Sequence, residues 1–423
     1  MIRVLRRNPL FARLWLAQIV SQAGDWLDRV ACFVLIGELG GASARLGLGV
    51  LFGVEQALRL VPTAVVGPLA GPVADRWSRR KLMIAADLSR AVVVLGFLLV
   101  RDPAHLPLLY ALVVLQMGIG IFFEAARSAA VPDTVSREEL HDAYAVMSAT
   151  WSLTLCLGSM AGGWLVSWIG VRGAFVVDAG TYVASAIVLL RLRLPPMPHH
   201  EGPFRWKDVV LLSDLARAGR HARERGVAAA VWVKTFWGAA GGYLVLLTLA
   251  GRERFGESGG SIDDIAVATG ALFAARGVGT GFGPLLAGWF SGRSDAALRR
   301  QVTGGFLLAV FGYTLFGFAP GLTAACVAVA VAHLGGSALW VASTVLWQRG
   351  VADAWRGRVY ALESLGASIA FASGGLLAGW AFDRTGSIPT TAWIVSGLVL
   401  VLGAAWAATA RAEDASAGRR PAP

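Results

Sequence analysis

The sequence predicts an all-α membrane protein with twelve transmembrane helices, arranged as two pseudo-symmetric six-helix bundles. Three observations lead to this prediction: the apolar composition, the distribution of basic residues and an internal repeat. The chain has 423 residues, of which 56% are hydrophobic and only 15% are charged. A soluble globular chain carries about 25% charged residues. So much apolar sequence with so little charge needs lipid around it.

Twelve apolar segments remain when the chain is divided at charged residues and at Pro/Gly clusters. Each is close to the roughly 20 residues that cross about 30 Å of hydrocarbon. We number them spans 1 to 12; they lie near 10–37, 46–70, 81–100, 106–128, 139–168, 172–193, 227–250, 263–290, 300–319, 322–346, 357–382 and 388–410. Spans 2 and 8 give the weakest signal, because they contain Arg59 and Arg276. An even number of spans places both termini on one side of the membrane.

The basic residues fall mainly on one side of the predicted spans. Of the 38 Lys and Arg residues, 26 lie in the termini and in the loops on the same side, against 6 in the opposite loops. Because Lys and Arg accumulate in cytoplasmic loops, both termini are predicted to be cytoplasmic in a multi-pass protein of the cell membrane. The net charge of +11 is therefore read as a topology signal. No nucleic acid is expected as a partner.

The same pass divides the chain into four regions. They are an N-terminal bundle at 1–194, a cytoplasmic linker at 195–226, a C-terminal bundle at 227–410 and a tail at 411–423. In the linker, the pattern from Trp206 to Arg225 has one apolar face and one basic face. It is typical of an amphipathic helix lying on an anionic leaflet, although an ordinary linker explains it equally well. The tail, rich in Ala, Gly, Arg and Pro, is predicted to be disordered.

The two halves of the chain repeat at a shift of 216 residues. In this register the second half again presents a Tyr-Ala pair, a Ser, three Gly residues and a Trp. The first-half positions are Tyr144, Ala145, Ser148, Gly158, Gly163, Trp164 and Gly170; their counterparts are Tyr360, Ala361, Ser364, Gly374, Gly379, Trp380 and Gly386. A common register over this distance indicates duplication. Parallel repeats of six spans are a transporter architecture, with the cargo site at the repeat interface near the membrane midplane.

A charged loop joins spans 2 and 3, from Gly71 to Lys81. A tight turn there presents the carboxylate of Asp75 beside several guanidinium groups, at an edge where they can pair with helix ends. Such a charge lock favours one of two arrangements of the bundles and breaks in the other. The predicted latch residues in this loop are Gly71, Asp75, Arg76, Arg79 and Arg80. The alternative is that the basic residues only anchor topology, which does not require Asp75.

This loop resembles the G-x-x-x-D-R-x-G-R-R-K signature of the major facilitator superfamily, with Ser78 in place of the second Gly. The resemblance implies the twelve-helix fold of that family and a conformational latch in which Asp75 meets the start of span 11 near Arg358. Shorter stretches resemble its enterobactin-exporter and macrolide-efflux-like branch, among them Ser21–Asp25 and Asp87–Arg90. The family's proton-antiporter motifs are altered in spans 4 and 5, where Val114 and Ser159 replace Arg and Pro.

Charged residues inside the spans are candidates for the cargo cavity or for proton coupling, because each costs at least about 2.5–3.5 kcal/mol in the membrane. Span 1 places Asp25 and Asp28 beside one cation, Arg29, so one carboxylate is under-compensated. The cluster is interpreted either as a proton-carrying site or as a plain polar network. Glu124 is a second candidate; it shares a helix face with Arg127.

Three further candidates lie in the second half: Lys234 in span 7, Arg276 in span 8 and Glu363 in span 11. None has an opposite charge at helical spacing, so each must find a partner on another helix or face water. The pairs Glu55–Arg59 and Asp87–Arg90 do have that spacing and are interpreted chiefly as structural ion pairs.

These observations predict a secondary active transporter. The motifs of metalloproteases, nucleotide-binding loops and serine hydrolases are absent from the sequence, so no enzyme activity and no cofactor are expected. The expected cargo is a small amphipathic organic molecule, exported in exchange for protons by a monomer in contact with membrane lipids. Alternatives of a different kind are a lysophospholipid flippase, a non-transporting receptor or scaffold, and an intramembrane enzyme.

Overall fold

The computed structural model describes residues 2–40, 46–195, 212–255, 262–292 and 294–417. Within these ranges every regular element is a helix, and none is a strand. The first part of the predicted amphipathic pattern, from Trp206 to residue 211, lies outside the described residues, as does the end of the tail at 418–423.

The first six spans follow the predicted segments closely. A short helix, Ile2–Arg7, precedes them. Spans 1 to 4 are the helices Pro9–Gly40, Leu48–Arg76, Arg79–Gly96 and Leu106–Ala130, and spans 5 and 6 share the helix Leu140–Leu190.

The remaining six spans follow a short linker helix, Leu212–Glu224, which has a polar and an apolar face. Span 7 consists of Ala228–Phe236, a 3₁₀ turn at Trp237–Ala240 and Gly241–Glu253. Spans 8 to 12 are Ile262–Ser291, Asp295–Phe318, Leu322–Gly350, Asp353–Thr385 and Ile388–Ala417.

Two glycines of the repeat mark equivalent corners of the two halves. Gly170, with φ of 74°, interrupts the helix Leu140–Leu190 and separates span 5 from span 6. Gly386, with φ of 61°, ends span 11 just before span 12 begins. Residues with a side chain rarely adopt this left-handed conformation, so glycine is the residue that lets the chain turn here. The corner has been kept in both copies.

The predicted fold class is confirmed. In the described residues, 10 helices are long and apolar enough to cross a membrane. One of them holds two spans, because it turns at Gly170. Span 1 is outside that set because Asp25, Asp28 and Arg29 interrupt its apolar sequence. With these two additions the number of spans is twelve.

Two details of the sequence prediction are wrong. The helix of span 12 continues to Ala417, so the predicted disordered tail at 411–423 is corrected for residues 411–417. Glu413 explains this continuation, since its carboxylate accepts hydrogen bonds from the backbone N–H groups of Ala228 and Ala229 at 2.9 and 3.0 Å. Gly71 does not form the tight turn: span 2 continues to Arg76, and only Trp77 and Ser78 separate it from span 3.

The chain forms two compact units, described separately below. The first comprises residues 1–46, 65–209 and 254–277; the second comprises 47–64, 210–253 and 278–423. The first part of span 2 thus belongs to the second unit, where the Asp383 carboxylate of span 11 accepts from the backbone N–H of Gly49 at 2.8 Å. The first part of span 8 belongs to the first unit.

Candidate functional site

The first unit contains a buried polar network in which Arg90 of span 3 is the central cation. Arg90 lies 3.2 Å from the Asp25 carboxylate of span 1 and also pairs with Asp87, one helical turn away. Its second terminal nitrogen donates to the Ser21 hydroxyl at 2.8 Å. The guanidinium faces the ring of Tyr182, with 4.3 Å to the centroid. Spans 1, 3 and 6 are therefore joined through one arginine.

The network extends to two further carboxylates, Asp28 and Asp178. The Gln116 amide of span 4 donates to Asp28 at 2.6 Å and to the Tyr182 hydroxyl at 3.0 Å. Tyr182 in turn donates to Asp25. Asp178, one turn before Tyr182 on span 6, accepts from Thr181 at 3.2 Å. Asp28 and Asp178 are fully buried, whereas 28% of the Asp25 side chain is exposed. Asp25 is thus the carboxylate through which solvent meets the network.

A glycine allows span 1 to approach span 6 at this network. A side chain at Gly24 would overlap the Asp178 carboxylate and the Thr181 hydroxyl. Glycine has no side-chain atoms and permits the contact, as small residues do where membrane helices pack closely. The stretch Ser21–Asp25 thus contains two residues that bind Arg90 and also Gly24, the glycine that lets span 6 come close.

The network corrects the predicted partner of Asp25. Helical spacing pointed to Arg29, but the cation at 3.2 Å from Asp25 is Arg90. The guanidinium of Arg29 lies beside aromatic rings, 5.5 Å from the centroid of Trp26 and 5.6 Å from that of Phe33. The Asp87–Arg90 pair is confirmed, and it belongs to the same network as Asp25.

Several members of the network were not among the predicted site residues. Asp87 and Arg90 were interpreted as a structural ion pair, and no role was assigned to Asp178, Tyr182 or Gln116. A carboxylate inside a span is a functional candidate by default, so the position of Asp178 in span 6 carried the signal that could have found it. Tyr182 lies one turn further along the same helix, but a tyrosine or a glutamine in a span carries no comparable signal.

A second feature of the first unit is a cavity of about 270 Å³. It contains Glu124 and Arg127, which pair as their spacing predicted. Arg127 also donates to the Gln18 side chain at 3.1 Å. The Glu124 side chain is 46% exposed, so this pair faces the cavity. The other lining residues are Gln22, Ser128, Tyr144, Met147, Ser148 and Trp151.

Arg276 lies beside Trp151, one of the residues that line this cavity. Its guanidinium lies 5.9 Å from the ring centroid of Trp151 and 5.8 Å from that of Trp26. The two indoles meet edge to face at 5.9 Å. Cations near aromatic faces are stabilised by the ring quadrupole, so these rings contribute to holding Arg276 in place.

The second unit contains a buried ion pair between Lys234 of span 7 and Glu363 of span 11, at 2.9 Å. The two side chains are 4% and 1% exposed. Lys234 also donates to the Thr344 hydroxyl at 2.7 Å, and the Trp347 indole donates to Glu363 at 2.9 Å. The sequence left two possibilities for these charges, a partner on another helix or contact with water, and the structure shows the first for both.

The predicted latch residues occupy the end of span 2 and the start of span 3. Asp75 is exposed. Arg79 pairs with Asp133, and Arg80 donates to the Leu190 carbonyl at 2.8 Å. Arg76 donates to the Pro72 carbonyl at 3.2 Å. In the second unit, Arg358 lies 3.7 Å from Asp214 of the linker helix. The latch itself stays a prediction.

These features belong to a recognisable family of membrane proteins. A sequence profile described as Major Facilitator Superfamily matches residues 14–293. The chain belongs to the Major Facilitator Superfamily. The resemblance noted at the Gly71–Lys81 loop is thereby confirmed, and the chain is a multi-pass membrane protein of this family.

Curated relatives include members of the same superfamily. The chain is 26% identical to the uncharacterized MFS-type transporter YkuC of Bacillus subtilis (strain 168) over 203 residues, 48% of this chain and 46% of that one. It is 31% identical to the enterobactin exporter EntS of Salmonella choleraesuis (strain SC-B67) over 212 residues, 48% of this chain and 49% of that one. The matched region thus spans about half the length of these relatives.

Solved structures share the fold. The nucleoside transporter NupG matches with a TM-score of 0.70 at 15% identity, covering 94% of this chain and 98% of that one. A bacterial homologue of the human lysosomal transporter Spinster matches with a TM-score of 0.69 at 15% identity, covering 95% and 97%. At such identity the likeness establishes the superfamily's fold.

Proposed function

We propose that this transporter exports a small amphipathic organic molecule in exchange for protons, by alternating access, as a monomer. The network around Asp25 carries the proposal. It places Asp25, Asp28, Asp87 and Asp178 near Arg90, so that even with Arg29 the carboxylates outnumber the cations by four to two. Burying an ionised carboxylate is costly unless it is paired, and this cluster has more carboxylates than cations. A proton is the ligand that this cluster takes up when occluded.

Export is favoured over import by the relatives. The enterobactin exporter EntS matches this chain at 31% identity, over about half the length of each protein. The cavity of the first unit combines aromatic, amide and charged side chains, which suits a cargo with a flat apolar body and polar groups. Its exposed aromatic residues, Tyr144 and Trp151, supply the apolar contact.

The test is transport in proteoliposomes under an imposed pH gradient. Enterobactin, a macrolide and lysophosphatidylcholine serve as separate probes. The orientation of the protein in the vesicles is determined by protease cleavage of the tails that face outward. We expect a proton gradient to accelerate flux of one of the two soluble probes severalfold. Asp25→Asn should abolish that acceleration, whereas Asp353→Asn, which changes a carboxylate that is 87% exposed, should preserve it.

Two outcomes would contradict the proposal. Flux of a soluble probe that ignores the gradient would remove proton coupling. Transport of lysophosphatidylcholine alone, without a response to the gradient, would identify a lipid flippase instead.

A further inference from the structure

A second cavity, of about 250 Å³, lies in the second unit where spans 7 and 9 begin and spans 10 and 12 end. Three arginines from different elements line it: Arg225 before span 7, Arg299 in span 9 and Arg349 at the end of span 10. Two carboxylates, Asp295 and Glu413, also line it. The residues that line the cavity therefore carry a net formal charge of +1.

Both carboxylates hold helix ends together. Asp295 accepts from Arg349 at 2.7 Å, which joins the start of span 9 to the end of span 10. Glu413 accepts from the first N–H groups of span 7. Arg225 is held at the cavity edge, because its Nε donates to the Gly350 carbonyl at 2.9 Å. These bonds hold Arg225, Arg349 and the two carboxylates in position before any ligand arrives.

The lining also includes apolar side chains. Trp406 of span 12 and Leu346 of span 10 line the cavity. The Trp406 indole donates to the Ala229 carbonyl at 2.8 Å, so its polar atom is used and its ring serves as wall. Further along the same unit, Leu307 of span 9 and Val401 of span 12 are 56% and 63% exposed.

We propose that this cavity binds the phosphate group of an anionic membrane phospholipid, with the acyl chains on the exposed flank of spans 9 and 12. Guanidinium groups match phosphate oxygens in geometry as well as charge. A phosphate group is small enough to enter a cavity of about 250 Å³. The side concerned is the one predicted to be cytoplasmic, where the leaflet is anionic.

A purely topological role explains less. The rule that basic residues stay on the cytoplasmic side depends only on how many of them the loops carry. It does not require that arginines from three elements line one cavity beside a tryptophan. This site is separate from the proposed proton network and from the cavity that contains Glu124, both in the first unit.

The test measures lipid binding to the purified, delipidated full-length chain by native mass spectrometry and thermal shift. The probes are dioctanoyl phosphatidylglycerol, dioctanoyl phosphatidylcholine and inorganic phosphate. Two arginines near an anionic surface contribute about 1 kcal/mol each, so Arg225→Gln/Arg299→Gln should raise the Kd for phosphatidylglycerol about thirtyfold. Arg300→Gln is the matched control: it removes the same charge from the next residue, which is exposed and does not line the cavity.

Should the double variant not fold, Arg225→Gln alone changes an exposed residue and should raise the Kd about fivefold. Unchanged affinity in the variant that folds would overturn the proposal, as would an equal loss in Arg300→Gln. Equal binding of phosphatidylcholine would show that the arginines do not select an anionic lipid. Stabilisation by inorganic phosphate as large as that by the lipid would reassign the site to a soluble phosphate.

Discussion

Two ion pairs that contain predicted site residues, one in each unit, differ in how their charges are brought together. In the first unit, Glu124 and Arg127 share a helix and border a cavity, with Glu124 46% exposed. In the second, Lys234 and Glu363 come from different spans and are almost completely buried. Sequence spacing predicted the first pair, because i,i+3 neighbours on a helix meet whatever the fold. It could flag Lys234 and Glu363 but could not join them, since their contact depends on how span 7 packs against span 11.

Removing one partner of the Lys234–Glu363 pair should destabilise the protein strongly. Lys234→Met leaves a buried carboxylate without its cation, at a cost of about 3–5 kcal/mol. Lys234→Met/Glu363→Met removes both charges and should recover most of the loss. The measurement is the melting temperature by size-exclusion chromatography with fluorescence detection.

Glu124→Gln provides the comparison, because an exposed pair contributes only about 0–1 kcal/mol. If Lys234→Met melted at the same temperature as Glu124→Gln, the pair would not be structural.

Among the helices, one ion pair recurs in both copies of the duplication with its charges reversed. Arg79 at the start of span 3 pairs with Asp133, just after span 4. Adding 216 to these numbers gives Asp295 at the start of span 9 and Arg349 at the end of span 10, which lie 2.7 Å apart. The sequence register predicted equivalent positions. It did not predict this pair, because matching residues by identity overlooks a reversed pair.

Because the charges are reversed between the copies, we predict that the first copy also accepts the ion pair with its acidic and basic residues exchanged. Arg79→Asp places two carboxylates together and should lower the melting temperature and the yield. Arg79→Asp/Asp133→Arg should restore both, since spans 9 and 10 already use this arrangement. The same assay, with Arg79→Ala as a neutral reference, checks this.

Failure of the double variant to exceed Arg79→Asp would mean that the two positions do not interact. It would also contradict the equivalence between the ion pairs of the two copies.

Across the whole molecule, duplication has preserved the helices but not the polar network. The register equivalents of Asp25, Asp28 and Arg90 are Gly241, Leu244 and Phe306. The sequence was therefore sufficient to predict the twelve spans and the repeat, because the spans follow from composition and the repeat from its constant register. The network was predicted only in part, because Gln116 and Tyr182 take part through tertiary contacts that no spacing encodes.

The excess of basic residues on one side predicts that both termini are cytoplasmic. A fluorescent protein fused after residue 423 should be bright, and alkaline phosphatase at the same place should be inactive. Fusions after Asp102, between spans 3 and 4, should show the opposite pair of results. Active phosphatase at the C-terminus would reverse the assigned orientation.

The most direct measurement concerns the proton at Asp25. Proteoliposomes containing a pH-sensitive dye receive the probe that the gradient assay identifies as cargo, and internal pH and cargo counterflow are recorded together. In the unmodified protein, cargo entry should drive proton movement in the opposite direction. In Asp25→Asn, counterflow should persist, because exchange of cargo for cargo requires no net proton transfer, while the pH signal disappears. A pH signal of unchanged size in Asp25→Asn would contradict the central role given to this network.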